Sequence, residues 1–198
     1  MTEIRKGTKT AGAVIGLKDV TVSFGGRRIL SGLGADIPLE GTTVVYGPSG
    51  SGKTTLLRVL MGLQRPERGQ VTGLEGKRVS VVFQEDRLLP WLTAKENVAL
   101  VSDDGTAEKW LGSLGLAEAA HQRPGALSGG MKRRVAIARA LAYGGDILLL
   151  DEPFAGLDDD AKGIAAKAIL SAGKPILLVT HSKEEAALLQ GTGSIQLI

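Results

Sequence analysis

The segment Thr43-Val-Val-Tyr46 runs into Gly47-Pro-Ser-Gly-Ser-Gly-Lys53-Thr54, which runs into Thr55-Leu-Leu-Arg-Val-Leu60. The middle stretch fits G-x-x-x-x-G-K-[ST], and its flanks read as an apolar strand and a helix. Strand, tight loop, helix is a narrow prescription for a fold. Gly47, Gly50 and Gly52 let backbone N–H groups turn inward with no Cβ in the way, and Pro48, Ser49 and Ser51 complete the loop. The helix opening near Lys53 adds the positive end of its dipole. Lys53 then reaches nucleotide β/γ-phosphates as a point charge, and Thr54, followed by Thr55, offers a hydroxyl to Mg²⁺. The bland alternative is a glycine–serine turn without a ligand, which leaves the flanking strand and helix as coincidence.

Composition narrows the class. With 198 residues and 43% apolar content the chain supports one domain with an ample core, and room for a subdomain. No apolar run approaches the roughly 20 residues that span a bilayer. Met1–Thr10 has no apolar leader and the chain has no cysteine, so a cytosolic location is the default expectation and a thiolate metal site is excluded. A formal charge of +3 does not argue for nucleic acid. Basic residues gather at Arg5, Lys6 and Lys9 and again at Lys132, Arg133 and Arg134. A solvated tail and a solvated helix face are the favoured readings.

Strand patterns cover Val14–Val22, Thr43–Tyr46 and Val79–Phe83, the last ending at Gln84. Short apolar runs at Ile147–Leu150 and Pro175–Val179 suit buried parallel strands. Helices are expected over Thr54–Met61, from the capping box Thr93-Ala-Lys-Glu96 through Leu100, over Thr106–Leu114 after a turn at Asp103–Gly105, from Gly130 to Tyr143, and from the box Ser182-Lys-Glu-Glu185 to Gln190. The fold class is α/β, with a mostly parallel sheet around a P-loop, an antiparallel portion near the N-terminus and a small helical insertion at about 85–140.

Further pieces follow the loop in order: Leu127-Ser-Gly-Gly130 with Met131, then Ile147-Leu-Leu-Leu-Asp151-Glu152, then Ala155-Gly-Leu-Asp158, then Val179-Thr-His181. With these, the chain from Val14 onward resembles the ATP-binding subunit of an ABC transporter, so that 1–198 is expected to be one such domain. The resemblance implies ATP with Mg²⁺ as ligand and ATP hydrolysis as activity. Asp151, with Thr54 and Gln84, is implied as a metal ligand, consistent with a carboxylate at the exit of a buried strand. Glu152 is implied as general base toward the attacking water, and His181 and Gln84 as further catalytic groups. Phe24 matches the aromatic that stacks on adenine. Leu127, Ser128, Gly129, Gly130 and Met131 match the signature that contacts ATP on a second, head-to-tail copy, and Asp158 matches a residue that communicates across that interface. His121 carries no motif and is read as surface. Met131 stands where many relatives have Gln.

The stretch Val82–Val98, with Leu88-Leu-Pro-Trp91, resembles the nitrate, sulfonate and taurine import ATPases. The expected partners are a second copy or a homologous subunit, a separate membrane permease and a solute-binding protein, at the cytoplasmic face of the membrane. Trp91 is either an anchor for the permease or a core residue of the helical insertion, and the sequence leaves both open. The competing class, an ABC ATPase acting on nucleic acid or the ribosome, needs a long coiled coil or two ATP domains. Here only about 75 positions separate Lys53 from Ser128, and there is one P-loop. A small-molecule kinase leaves the signature and His181 unexplained.

Overall fold

The computed structural model describes residues 13–197. The order is β1 (Val14–Phe24), β2 (Arg27–Pro38), β3 (Thr42–Tyr46), α1 (Lys53–Leu60), β4 (Arg68–Thr72), β5 (Val79–Val82), α2 (Ala94–Ala99), α3 (Asp104–Ser113), a 3-10 turn (Pro124–Ala126), α4 (Gly129–Tyr143), β6 (Ile147–Asp151), α5 (Asp159–Ser171), β7 (Ile176–Val179), α6 (Lys183–Leu188) and β8 (Gly191–Gln196). The basic group Arg5, Lys6 and Lys9 lies outside the described residues. Contacts divide the chain into two units, one of residues 13–79 and 175–197, the other of 80–174.

The first unit holds two sheets. β1 pairs antiparallel with β2 on one side and β4 on the other. Gly25 (φ 55°) and Gly26 (φ 78°) join β1 to β2, and two consecutive positive φ values are what a two-residue hairpin matching the strand twist requires. Ile15, Leu17, Val20 and Val22 of β1 are buried, as are Leu30, Leu33 and Ile37 of β2. The second sheet is parallel, with β3 between β7 and β8. Thr42–Val45 of β3 and all four residues of β7 are buried. Strands buried on both faces read as continuous apolar runs, which is how both were legible. Thr42, a buried polar residue, donates from Oγ1 to the Leu189 carbonyl at 2.6 Å.

The second unit sets β5 beside β6, whose five residues are all buried. α2, α3 and α4 pack on one another, and α4 also meets α5. The Thr93 box closes as expected: Thr93 Oγ1 accepts from Glu96 N (3.2 Å) and Glu96 Oε2 accepts from Thr93 N (2.7 Å).

Several expectations need correction. Asp103 is not in a turn ahead of the helix; its carboxylate caps α3 by accepting from Thr106 N, so α3 starts at Asp104. The Ser182 box is not reciprocal. Ser182 Oγ accepts from Glu185 N, but the Glu185 carboxylate takes the Thr180 hydroxyl (2.6 Å), and Thr180 Oγ1 accepts from Ser182 N instead. α6 stops at Leu188, short of Gln190. β5 ends at Val82, before Phe83 and Gln84. β2, β4 and β8 have no counterpart among the expected strands. Lys132-Arg133-Arg134 is not a solvated face, because Arg133 is 2% exposed.

Candidate functional site

In the first unit the phosphate-loop residues leave β3 at Tyr46 and enter α1 at Lys53. A Cβ at Gly47 would collide with Ser51 Oγ and lie 2.7 Å from the Leu197 carbonyl. Gly52 stands at φ 94°, where a Cβ would lie 2.8 Å from Leu30 Cδ2. Both positions therefore exclude a side chain. At Gly50 (φ 79°) a Cβ would meet nothing within 4 Å, so the loop's open side is there. α1 has no side-chain cap and no acidic residue in its first turn, which leaves its leading N–H groups and dipole to an anion. Ser51 Oγ is buried and has no hydrogen-bond partner among the described residues. Lys53 Nζ donates to the Gly47 and Pro48 carbonyls, both at 2.8 Å, so the ammonium is held over the loop. A concave loop of backbone donors, an orphaned hydroxyl and a fixed cation together fit a phosphate chain.

The parallel register Val45↔Val179 makes β3 and β7 end at the same level. It brings His181, exposed beyond β7, to the side where the loop begins. His181 and Tyr46 line one cavity of about 470 Å³ with Lys183, Ala186, Ala187, Gly191 and Gln196. Phe24, at the β1–β2 hairpin, is 44% exposed, as a stacking aromatic must be.

In the second unit, Asp151 is the last residue of β6 and is buried, and Glu152 follows it half-buried. Glu152 has φ 47°, a left-handed value that residues with a Cβ avoid. Gln84, just past β5, is exposed. Ser128 caps α4 by accepting from Met131 N (3.2 Å), and Asp158 caps α5 by accepting from Ala161 N (2.8 Å). The glycines of the signature stay close to the segment that leads to Asp158: a Cβ at Gly130 would lie 3.4 Å from the Gly156 carbonyl. His121 is exposed, as read.

Two buried polar residues that no motif marked organise this unit. Arg133 donates to the carbonyls of Phe83, Gln84, Asp151, Glu152 and Pro153 and to the Asp86 carboxylate. A buried guanidinium costs several kcal/mol unless its donors are met, and here they are. Burial pulls its pKa below the ordinary arginine value, with Asp86 acting in the other direction. Asn97, fully buried, receives the Leu89 N–H on Oδ1 (2.8 Å) and donates from Nδ2 to the carbonyls of Leu89 (3.1 Å), Leu92 (3.2 Å) and Thr93 (3.0 Å). It braces the turn that carries Trp91. Trp91 is 64% exposed, so the core alternative for it falls. Asn97→Ala leaves the Leu89 N–H and the Leu89 and Leu92 carbonyls without that partner. About 1–3 kcal/mol of stability should be lost, a fall in Tm of roughly 2–12 °C for a chain of this size. Thermal unfolding checks this, and an unchanged Tm would show that solvent satisfies the turn.

A strand–glycine loop–helix unit in a parallel sheet, with a buried strand that ends in paired acids, defines a P-loop nucleotide-binding protein. Comparison with known proteins makes this specific. The family model described as ABC transporter matches residues 30–155. The aliphatic sulfonates import ATP-binding protein SsuB 1 of Pseudomonas savastanoi pv. phaseolicola is 42% identical over 177 residues, covering 84% of this chain and 73% of that protein. The bicarbonate transport ATP-binding protein CmpC of a Synechocystis species is 40% identical over 87% of this chain, though only 29% of its own length is matched. Among solved structures, the ATP-binding cassette MJ0796, a dimer in a post-hydrolysis state bound to ADP and Pi, superposes with a TM-score of 0.81. It is 30% identical, and the match covers 92% of this chain and 94% of that one. The chain belongs to the ABC transporter family of ATP-binding proteins. It binds ATP and hydrolyses it. No helix among the described residues is long and apolar enough to cross a membrane.

Proposed function

We propose that this chain powers a bacterial importer of small anionic or organic solutes, acting from the cytoplasmic face of the membrane as a dimer on a separate permease. The observation that carries the import reading is the turn Leu88-Leu-Pro-Trp91. Asn97 fixes its backbone from beneath and Trp91 stands out from it. An exposed aromatic on a braced turn suits an anchor that fills a partner's pocket. Relatives named for aliphatic sulfonate import and bicarbonate transport support a small anion as the solute.

In this reading residues 1–198 act as one ABC ATP-binding domain, with about 85–140 as its helical subdomain. Gly47–Thr55 wrap the phosphates, Lys53 pairs with the β/γ-phosphates and Phe24 stacks on adenine. Thr54, Gln84 and Asp151 offer hydroxyl, amide and carboxylate oxygens, the hard donors that Mg²⁺ takes alongside phosphate and water. The ion, when bound, would neutralise charge on the phosphate oxygens. Glu152 accepts the proton of the attacking water, and His181 holds the γ-phosphate. Leu127–Met131 of a second copy cover that phosphate, and Asp158 carries the state of one site to the other.

Isolation of the chain from membranes tests the proposal. A multispanning permease should accompany it, with a solute-binding protein on the intact complex. A bound ribosome or nucleic acid in place of the permease would overturn the import reading. Trp91→Ala should weaken association with the permease about 10- to 30-fold, the loss of a single anchor, and leave basal ATP hydrolysis within about two-fold. Equal losses of assembly, hydrolysis and thermal stability would refute the anchor.

A further inference from the structure

We propose that Arg133 is a positioning residue for ATP hydrolysis, one buried guanidinium that sets the backbone of Gln84 and of Glu152 together. The proposal rests on the reading of Glu152 as the base. Within residues 80–174, two exits from the sheet converge on this side chain. Nη1 donates to the Phe83 carbonyl and to that of Gln84 (3.2 Å), just past β5. Nη2 donates to the carbonyls of Asp151 (2.8 Å) and Glu152 (2.6 Å), and Nε to that of Pro153 (3.0 Å), at the end of β6. The guanidinium is planar and rigid, so its own dimensions fix the separation of the two exits.

Glu152 needs such a hold. Its φ of 47° is unfavourable for a residue with a Cβ. Its carbonyl is pinned by Arg133 Nη2 and by the Ala155 N–H (3.1 Å). Without the arginine the peptide can relax to negative φ, which swings the Glu152 carboxylate to a different direction. Arg139 adds a second tie on the β5 side, donating to the carbonyls of Asp86 and Arg87, both at 2.8 Å. Arg133 also belongs to α4, whose first turn carries the signature glycines. The helix that meets a second copy's ATP is thereby joined to the backbone of the base.

The test uses the full chain with R133K and R133M. Lysine keeps the charge but gathers its donors at one point, and methionine keeps the apolar bulk. None of Phe24, Gly47–Thr55 and His181 is among the hydrogen-bond partners of Arg133, so equilibrium ATP binding and KM should stay within about two-fold of the parent. A misplaced reacting group costs up to about 10² in rate; kcat should fall roughly 10- to 100-fold in R133M and at least about 5-fold in R133K. A kcat within two-fold of the parent in folded R133K overturns the proposal, and R133K decides if R133M does not fold. Loss of binding, kcat and Tm together in both variants also overturns it, marking Arg133 as fold support alone. E152Q is measured in parallel. Normal turnover there would remove the base that Arg133 is held to position, whereas a slow E152Q with a fast R133K would refute the positioning role alone.

Discussion

Glu152→Gln should bind ATP as well as the parent or better, and turn over roughly 10²–10⁴-fold more slowly, the range expected when a positioned general base is lost. Asp151 is the last residue of a strand buried along its whole length, so its carboxylate is committed close to the strand's end. Glu152 comes one residue later, half-buried, with a longer side chain and a backbone pinned by Arg133 and Ala155. Glutamine has the same shape and needs no change in that backbone. It cannot take a proton from water, and it removes the negative charge that, under the proposed function, would repel the terminal phosphate. The expected product is an ATP-loaded dimer that persists. Hydrolysis and nucleotide binding measured on one preparation decide the matter; turnover near the parent's would shift the catalytic role, with His181 the first candidate.

Lys53→Ala should lower affinity for ATP and abolish measurable hydrolysis together. A hydrogen bond to a charged group is worth about 1.5–3 kcal/mol, so the loss of one such contact weakens binding roughly 10- to 150-fold. The lysine Nζ is already held 2.8 Å from the carbonyls of Gly47 and Pro48, so little conformational freedom is lost when it meets a phosphate. Under the proposed function it serves bound substrate and transition state alike, so both KM and kcat should suffer. Titration with a fluorescent nucleotide, beside steady-state turnover, checks the claim. Full affinity with no turnover would restrict Lys53 to the transition state.

What could be read from the sequence, and what could not, follows from how local each signal is. The P-loop and the Thr93 box are set by neighbours in the chain. The buried runs at Thr43–Tyr46 and Ile147–Leu150 announce themselves by composition. β2 hides because its inward residues, Leu30, Leu33 and Ile37, are spaced three and four apart, a helical period. The cause is a bulge: Val22 faces Leu30 but Val20 faces Leu33, with Gly32 at φ 62° taking up the extra residue. β8 hides because Gly191-Thr-Gly-Ser194 has almost no apolar content; it exists because β3 offers a free parallel edge. Arg133 was misread because its partners lie up to 50 positions away in the chain. One signal did mark it: Arg133, Ile137 and Leu141 recur every four residues, and all three are buried.

The contrast among helix starts bears on protein engineering. Thr93, Asp103, Ser128, Asp158 and Ser182 each cap the α-helix they precede, and among the α-helices of the described residues α1 alone begins without a side-chain cap. The usual remedy, a serine or aspartate in the capping position, is closed at residue 52. The backbone there is left-handed, and a Cβ would press on Ile29 and Leu30. An oxygen from such a side chain would also occupy the N–H groups that a phosphate is to meet. Thermostabilised versions of this chain must therefore draw their gains from elsewhere, and the temperature at which α1 frays becomes a readout of nucleotide concentration.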